Sequence, residues 1–141
     1  LFDPLNLDSS RIHRIEGELD PPAAAERAEA EFRRVCGETP MLDWIFLGMG
    51  EDGHVASLFP EESETDRQSS AIFRPVVASK PPPNRITLGY GALAAAKEVW
   101  VLASGAGKAE ILEDSIADRV DTPLARVLKA REQTLIFSAI S

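Results

Sequence analysis

The stretch LDWIFLGMGEDGH, residues 42–54, decides the fold of this 141-residue chain. Its first six residues form a short, nearly continuous apolar run, which is typical of a strand covered on both faces in a parallel sheet. A turn with three glycines, Gly48, Gly50 and Gly53, follows at once. The pattern predicts a buried strand that ends in a tight loop whose backbone can approach a ligand closely.

Short apolar strands and helices alternate along the rest of the chain. Strands are predicted at 42–47, 72–78, 85–90, 99–103 and 135–140, and helices at 23–36, 92–97, 108–116 and 123–130. Asp20 and Thr122 stand where helix N-caps are expected, 61–70 is a predicted exposed loop, and 80–84 is too proline-rich to be helical. The alternation predicts one α/β domain with a mainly parallel sheet, in which ligands bind where strands end.

Composition narrows the class of protein. With 44% hydrophobic and 27% charged residues, the chain is expected to be an ordinary globular protein, and no apolar run approaches the length of a membrane span. A net charge of −8 argues against a broad basic surface for nucleic acid, and a small anionic ligand would need a local cationic pocket. The single cysteine, Cys36, is expected to be buried, and so are Trp44 and Trp100. The start of the chain shows no signal peptide, so a cytoplasmic location is expected.

The first glycine-rich turn carries two residues that suit acid–base chemistry. His54 can change protonation near neutral pH, and Asp52, two residues away, could orient its ring. A plain strand-to-helix connector, with His54 solvated, is an equal alternative for this pattern alone. The spacing is not that of a dinucleotide-binding loop, because His54 stands where the last glycine would come.

Two cations could serve an anionic ligand. Lys108 follows the second glycine-rich turn, 105–107, at the expected start of a helix, where free N–H groups favour an anion. Arg85 opens a predicted strand after three prolines. A solvated lysine and an exposed edge arginine are equally good interpretations. No grouping of histidines and carboxylates suggests a metal, and Ser57 does not lie in a serine-hydrolase elbow.

Four segments in order resemble one known family. LGMGEDGHVASLFP at 47–60 resembles the signature of the 6-phosphogluconolactonases, which share a superfamily with the glucosamine-6-phosphate deaminases. SRIHRIEGE at 10–18, PPPNRITL at 81–88 and VLASGAGKA at 101–109 resemble further lactonase segments. The resemblance implies a three-layer α/β/α fold with a mainly parallel, Rossmann-like sheet of the NagB/RpiA-like type.

The same resemblance implies roles for individual residues. His54 would be the acid–base that activates water in the hydrolysis of 6-phospho-D-glucono-1,5-lactone to 6-phosphogluconate, in the oxidative pentose phosphate pathway. Asp52 would support His54, and Arg85 and Lys108 would hold the substrate phosphate. The backbone of Gly48, Gly50 and Gly53 would shape the site. No metal or organic cofactor is implied, the expected partner is a small sugar-phosphate lactone, and a monomer is favoured although the sequence does not fix the oligomeric state.

The sequence also departs from the family pattern. Residues 89–91, GYG, replace the more usual T-L-P, and no counterpart is found for the family's N-terminal G-G-S-T-P loop and D-E-R segment. The chain, which starts without methionine, is therefore expected to be the C-terminal portion of a longer lactonase. Residues 55–60, VASLFP, differ from the deaminase continuation and favour the lactonase. A deaminase or isomerase of the same superfamily, and a non-catalytic sugar-phosphate-binding domain, remain the alternatives.

Overall fold

A computed structural model describes residues 3–37 and 39–140, so the expectations for Leu1 and Phe2 at the start of the chain lie outside the described residues. The α-helices are α1 (Pro21–Cys36), α2 (Glu64–Arg67), α3 (Tyr90–Ala95), α4 (Ala109–Ile116) and α5 (Pro123–Lys129). The strands are β1 (Trp44–Gly48), β2 (Phe73–Val77), β3 (Asn84–Leu88), β4 (Glu98–Ser104) and β5 (Leu135–Ala139). Short 3₁₀ turns span Asp3–Leu5, Ser9–Arg11 and Ala106–Lys108.

The main sheet has the order β1-β4-β5, and both of its strand pairs are parallel. β2 and β3 form a separate antiparallel pair. The register places Gly48 beside Leu102, so β1 and β4 end at the same edge of the sheet. The two glycine-rich turns therefore start next to each other, and the predicted α/β class with a mainly parallel sheet is confirmed.

One face of the main sheet builds the hydrophobic core. Ile45 and Leu47 of β1 and Val99 and Val101 of β4 are buried there, because alternate side chains of a strand point to the same face. Helices α3, α4 and α5 cover this face with apolar side chains, namely Leu93, Leu112, Leu124 and Val127. This packing fixes the strand ends that carry the glycine-rich turns.

The opposite face of the sheet corrects one prediction. Trp44 and Phe46 were expected to be covered, yet they are 60% and 61% exposed, and Phe137 of β5 is 48% exposed. No described helix covers this face, so the rings pack on one another around Trp100, with centroids 5.5 Å away for Phe46 and 5.1 Å for Phe137. Both tryptophans were expected to be buried, but Trp100 is half-buried and Trp44 is exposed.

Helix α1 packs on β2 and β3, where Phe32 and Phe73 meet edge to face at 5.9 Å. Asp20 holds the N-cap position, but its side chain makes no cap hydrogen bond. Prolines fill the first two helical positions, so the second position has no N–H that the Asp20 carboxylate could accept from. Cys36 is exposed rather than buried, because the whole last turn of α1 faces solvent.

Other helix ends follow their sequence signals. The Thr122 side chain accepts from Ala125 N at 3.1 Å and caps α5, as predicted. The expected loop at 61–70 contains the short helix α2, which Ser63 caps by accepting from Asp66 N. Among the described helices, none combines the length and the apolar character needed to cross a bilayer.

Candidate active site

The loop that follows β1 closes on itself. Gly50 N donates to His54 O at 2.9 Å, Gly53 N donates to Gly50 O at 3.1 Å, and an antiparallel bridge joins Met49 to Val55. Leu124 N at the start of α5 donates to Gly53 O at 3.1 Å, which ties the loop to a core helix. A loop held at so many points presents its side chains in a fixed geometry.

Two of its glycines are required by space. A β-carbon on Gly50 would lie 2.1 Å from His54 Nδ1, and one on Gly53 would lie 2.7 Å from Thr122 Cγ2. Gly53 also has a φ of 76°, a conformation that other residues adopt at an energetic penalty. Gly48 differs, because a β-carbon there would meet nothing within 4 Å. Within this tight turn, Gly50 and Gly53 are therefore the two glycines that the surrounding side chains require.

Asp52 and His54 form a hydrogen-bonded pair at the tip of the loop. Asp52 Oδ1 lies 2.5 Å from His54 Nδ1 and also accepts from His54 N at 3.2 Å. The side chains are 29% and 23% exposed, so solvent reaches both. An ionised carboxylate can only accept, so Nδ1 must carry a proton and the neutral ring keeps its free lone pair on Nε2. This is the arrangement of an oriented general base.

Lys80 is a third member of this cluster that the sequence did not indicate. Its Nζ donates to Asp52 Oδ2 at 2.6 Å, from the proline-rich connection 28 residues further along the chain. Partial burial tends to raise the pKa of Asp52, but the hydrogen bonds from Lys80 and His54 outweigh it and hold that pKa far below its usual value. Asp52 therefore stays ionised throughout the physiological range.

Phe59 was also missed, although it lies in the quoted signature. Its ring is 3% exposed and stacks on the His54 ring with centroids 4.9 Å apart. The Arg85 guanidinium lies 5.4 Å from the Phe59 centroid. An apolar ring beside the imidazole restricts its rotation, so Phe59 supports the orientation that Asp52 sets.

Arg85 makes contacts that its expected role did not anticipate. Its Nε donates to Pro82 O at 2.9 Å, and Nη2 donates to the carbonyls of Lys80 and Pro81 at 3.1 and 3.2 Å. Nη1 makes no hydrogen bond within the described ranges. Arg85 therefore clamps the segment that carries Lys80 and keeps one nitrogen available to a ligand.

The second turn lies against the first. A β-carbon on Gly107 would come within 3.1 Å of Glu51 Oε1, so the neighbouring turns touch. Lys108 is half-buried at the end of this turn, and its backbone N donates to Gly105 O at 3.1 Å. Its ammonium makes no hydrogen bond or ion pair within 3–37 and 39–140. No contact in that part of the chain joins Lys108 to Asp52 or His54 directly.

The cluster is partly open to solvent, since the side chains of His54, Asp52 and Lys80 are 23%, 29% and 55% exposed. A cavity of 670 Å³ lies between α1 and the segment before it, and another of 680 Å³ between α1 and the region of β2. His54, Asp52 and Lys80 line neither of them. Within the described residues, no group of three or more histidine, cysteine, aspartate and glutamate side chains could hold a metal ion.

Known proteins are similar to this chain over most of its length. The 6-phosphogluconolactonase of Aggregatibacter actinomycetemcomitans is 36% identical over 132 residues, which are 90% of this chain and 55% of that protein. The human 6-phosphogluconolactonase is 34% identical over 130 residues, 91% of this chain and 50% of the relative. The chain thus spans about half the length of the curated relatives it matches.

A solved structure agrees with these sequence matches. The crystal structure of devB protein superposes with a TM-score of 0.83 at 35% identity, over 98% of this chain and 59% of that one. The family description "Glucosamine-6-phosphate isomerases/6-phosphogluconolactonase" matches residues 1–136. The family match and the similar relatives show that the chain belongs to the glucosamine-6-phosphate isomerase/6-phosphogluconolactonase family.

Proposed function

We propose that the protein hydrolyses 6-phospho-D-glucono-1,5-lactone to 6-phosphogluconate, a step of the oxidative pentose phosphate pathway. The observation that carries the proposal is the Asp52–His54 pair, held at 2.5 Å in a rigid loop at the carboxyl edge of a parallel sheet. Curated relatives named 6-phosphogluconolactonase support the choice of reaction within the family. A cytoplasmic monomer that binds neither membrane nor nucleic acid fits this role.

The arrangement supports hydrolysis in two steps. In the first, His54 Nε2 takes a proton from water while the water oxygen forms a bond to the lactone carbonyl carbon, giving a tetrahedral oxyanion. In the second, the oxyanion re-forms the carbonyl, the bond to the ring oxygen breaks, and the imidazolium returns its proton to that oxygen. Asp52 stabilises the imidazolium between the two steps by accepting from Nδ1. Neither step requires a metal or an organic cofactor.

The substrate phosphate needs a cation, and Lys108 is the better placed of the two candidates. Its ammonium has no competing partner in the described ranges, and it directly precedes helix α4, whose first N–H groups favour an anion. Arg85 can contribute through Nη1 while its other donors remain on backbone carbonyls. The backbone of Gly48, Gly50 and Gly53 then forms the wall of the lactone site.

The test is a lactonase assay on the polypeptide that contains these residues at its natural length, corrected for spontaneous lactone hydrolysis. Acid–base catalysis by one positioned side chain contributes roughly 10²–10⁴-fold, so His54→Gln should lower kcat by about that factor. His13→Gln is a matched control, because His13 also pairs with a carboxylate, Glu31, at 2.7 Å, but far from the loop. It should leave the rate unchanged.

Three outcomes contradict the proposal. If His54→Gln keeps nearly the full kcat while the protein stays folded, His54 is not the acid–base. If the protein releases ammonia from glucosamine 6-phosphate but does not speed lactone hydrolysis, the deaminase alternative replaces the lactonase. Binding of phosphosugar without any turnover favours the non-catalytic alternative.

A further inference from the structure

We propose that Lys80 is a positioning residue of this site, whose ammonium holds Asp52 in the orientation that keeps His54 ready to act as a base. The inference deepens the proposed lactone hydrolysis and rests on it. Lys80 acts through Asp52 and does not touch the reacting atoms.

The two oxygens of the Asp52 carboxylate have different partners. Oδ1 accepts hydrogen bonds from Nδ1 and the backbone N of His54, and Oδ2 accepts from Lys80 Nζ at 2.6 Å. The terminal torsion of an aspartate is broad, so the two contacts to Oδ1 restrain the carboxylate only as firmly as those partly solvated hydrogen bonds hold it. The ammonium on the other oxygen adds a further restraint and stiffens the orientation in which Oδ1 accepts from Nδ1–H.

The Lys80 backbone is itself held in place. The Lys80 carbonyl accepts from Arg85 Nη2 at 3.1 Å, and Ala78 N donates to Pro83 O at 2.8 Å across the base of the segment. Three prolines, Pro81 to Pro83, restrict the backbone between these points. Although the lysine side chain is 55% exposed, it therefore starts from a fixed backbone position.

The Lys80–Asp52 pair differs from an ordinary surface ion pair. Lys97 and Asp43 also meet at 2.6 Å, but both side chains are largely exposed, at 59% and 80%. Such pairs contribute little, because water screens them, and within the described residues neither of these two side chains makes a further hydrogen bond. Asp52 is 29% exposed and is shared with His54, so a change at Lys80 reaches the imidazole.

Charges near Lys80 favour its protonated form. The hydrogen bond to Asp52 raises the pKa of Lys80, and the nearby carboxylates of Glu61 and Glu51 raise it further. Ser79 holds Glu61 by donating to its carboxylate at 2.9 Å. The ammonium is thus surrounded by acceptors of the protein itself, which suits a positioning role better than contact with a substrate.

The experiment compares Lys80→Met, Lys80→Arg and the control Lys97→Met in the polypeptide at its natural length. Lys80→Met should lower kcat about tenfold, a part of the contribution of acid–base catalysis, with KM changed less than about twofold. Lys80→Arg should restore much of the loss, and Lys97→Met should match the wild type. Two NMR readouts accompany the kinetics: the titration of the Asp52 carboxyl carbon and the ¹⁵N shifts that report the His54 tautomer.

In Lys80→Met, the Asp52 carboxyl should titrate at a higher pH than in the wild type, and the Nδ1–H tautomer of His54 should lose population. Kinetics and spectra indistinguishable from those of Lys97→Met would overturn the inference. So would a raised KM with unchanged kcat, because Lys80 would then bind substrate directly. If the wild type is inactive on the lactone, the proposed function fails, but unchanged spectra in Lys80→Met would still refute the positioning role separately.

Discussion

Replacement of Gly50 by alanine should separate the activity of this protein from its stability. The new β-carbon would lie 2.1 Å from His54 Nδ1 and 2.8 Å from Asp52 Oδ1, whereas ordinary contacts begin at 3.4 Å. The imidazole must therefore retreat by about 1.3 Å. Because the obstructing atoms belong to the partly exposed side chains of His54 and Asp52, these can move toward solvent without a shift of the backbone.

The two consequences differ in size. A displacement of about 1 Å of a catalytic group lowers a rate by roughly 100-fold, so kcat for lactone hydrolysis should fall by about that factor. The free energy of unfolding should fall by only about 1 kcal/mol, the net value of a typical hydrogen bond, since the Asp52–His54 contact is partly solvated. Gly91→Ala is the control, because a β-carbon there meets nothing within 4 Å.

The assay pairs steady-state kinetics with urea denaturation of the same preparations. Gly50→Ala with near wild-type kcat would show that the ring position is not critical, and the acid–base role of His54 would have to be abandoned. A loss of stability of several kcal/mol would instead show that the loop cannot yield as described.

Two further changes test the surroundings of the site. Gly53→Ala should lower the free energy of unfolding by about 2 kcal/mol, because the new β-carbon combines a φ of 76° with a contact of 2.7 Å to the buried Thr122 side chain. Gly37 has a similar φ of 85° but open space around it, so Gly37→Ala should lower the free energy of unfolding by only about 1 kcal/mol. Equal losses in urea denaturation would contradict the clash. Burial raises the pKa of Tyr90 to about 12 and outweighs the hydrogen bond from Arg126, which lowers it. The folded state therefore favours the neutral phenol, and this stabilisation is fully present below pH 10 and is lost as the pH rises toward 12. Tyr90→Phe should flatten that alkaline loss by up to about 1 kcal/mol after allowance for solvent screening, and an unchanged slope of stability against pH from 9 to 12 would refute it.

The order of strands and helices was predictable because it depends on local patterns. The apolar runs of β1 and β4 and the glycines after them placed both turns, and Thr122 signalled the start of α5. What local patterns do not record is which face of a strand is covered. Trp44 and Phe46 belong to the same apolar run as the core residues of β1, but they lie on the face that stays largely exposed.

The site was predictable as far as it lies within one segment. Asp52 and His54 are two residues apart, so their pairing follows from the loop itself. Lys80 is brought to Asp52 by the packing of a distant connection, and the proline run marked that connection as rigid without indicating what it faces. Phe59 lies within the signature, but its contact with His54 depends on how the loop folds back.

The excess of negative charge makes the distribution of cations decisive for a phosphorylated substrate. The net charge is −8, so the protein as a whole repels a dianion, and attraction must come from a local cation. The charge of Lys80 is offset by Asp52, and most donors of Arg85 are satisfied by backbone carbonyls. Lys108 keeps its charge unpaired within the described ranges, beside the turn that touches the acid–base loop. Under the proposed function the two lysines therefore act on different steps: Lys108 draws the phosphate to the sheet edge, and Lys80 keeps Asp52 aligned for the proton transfers at His54.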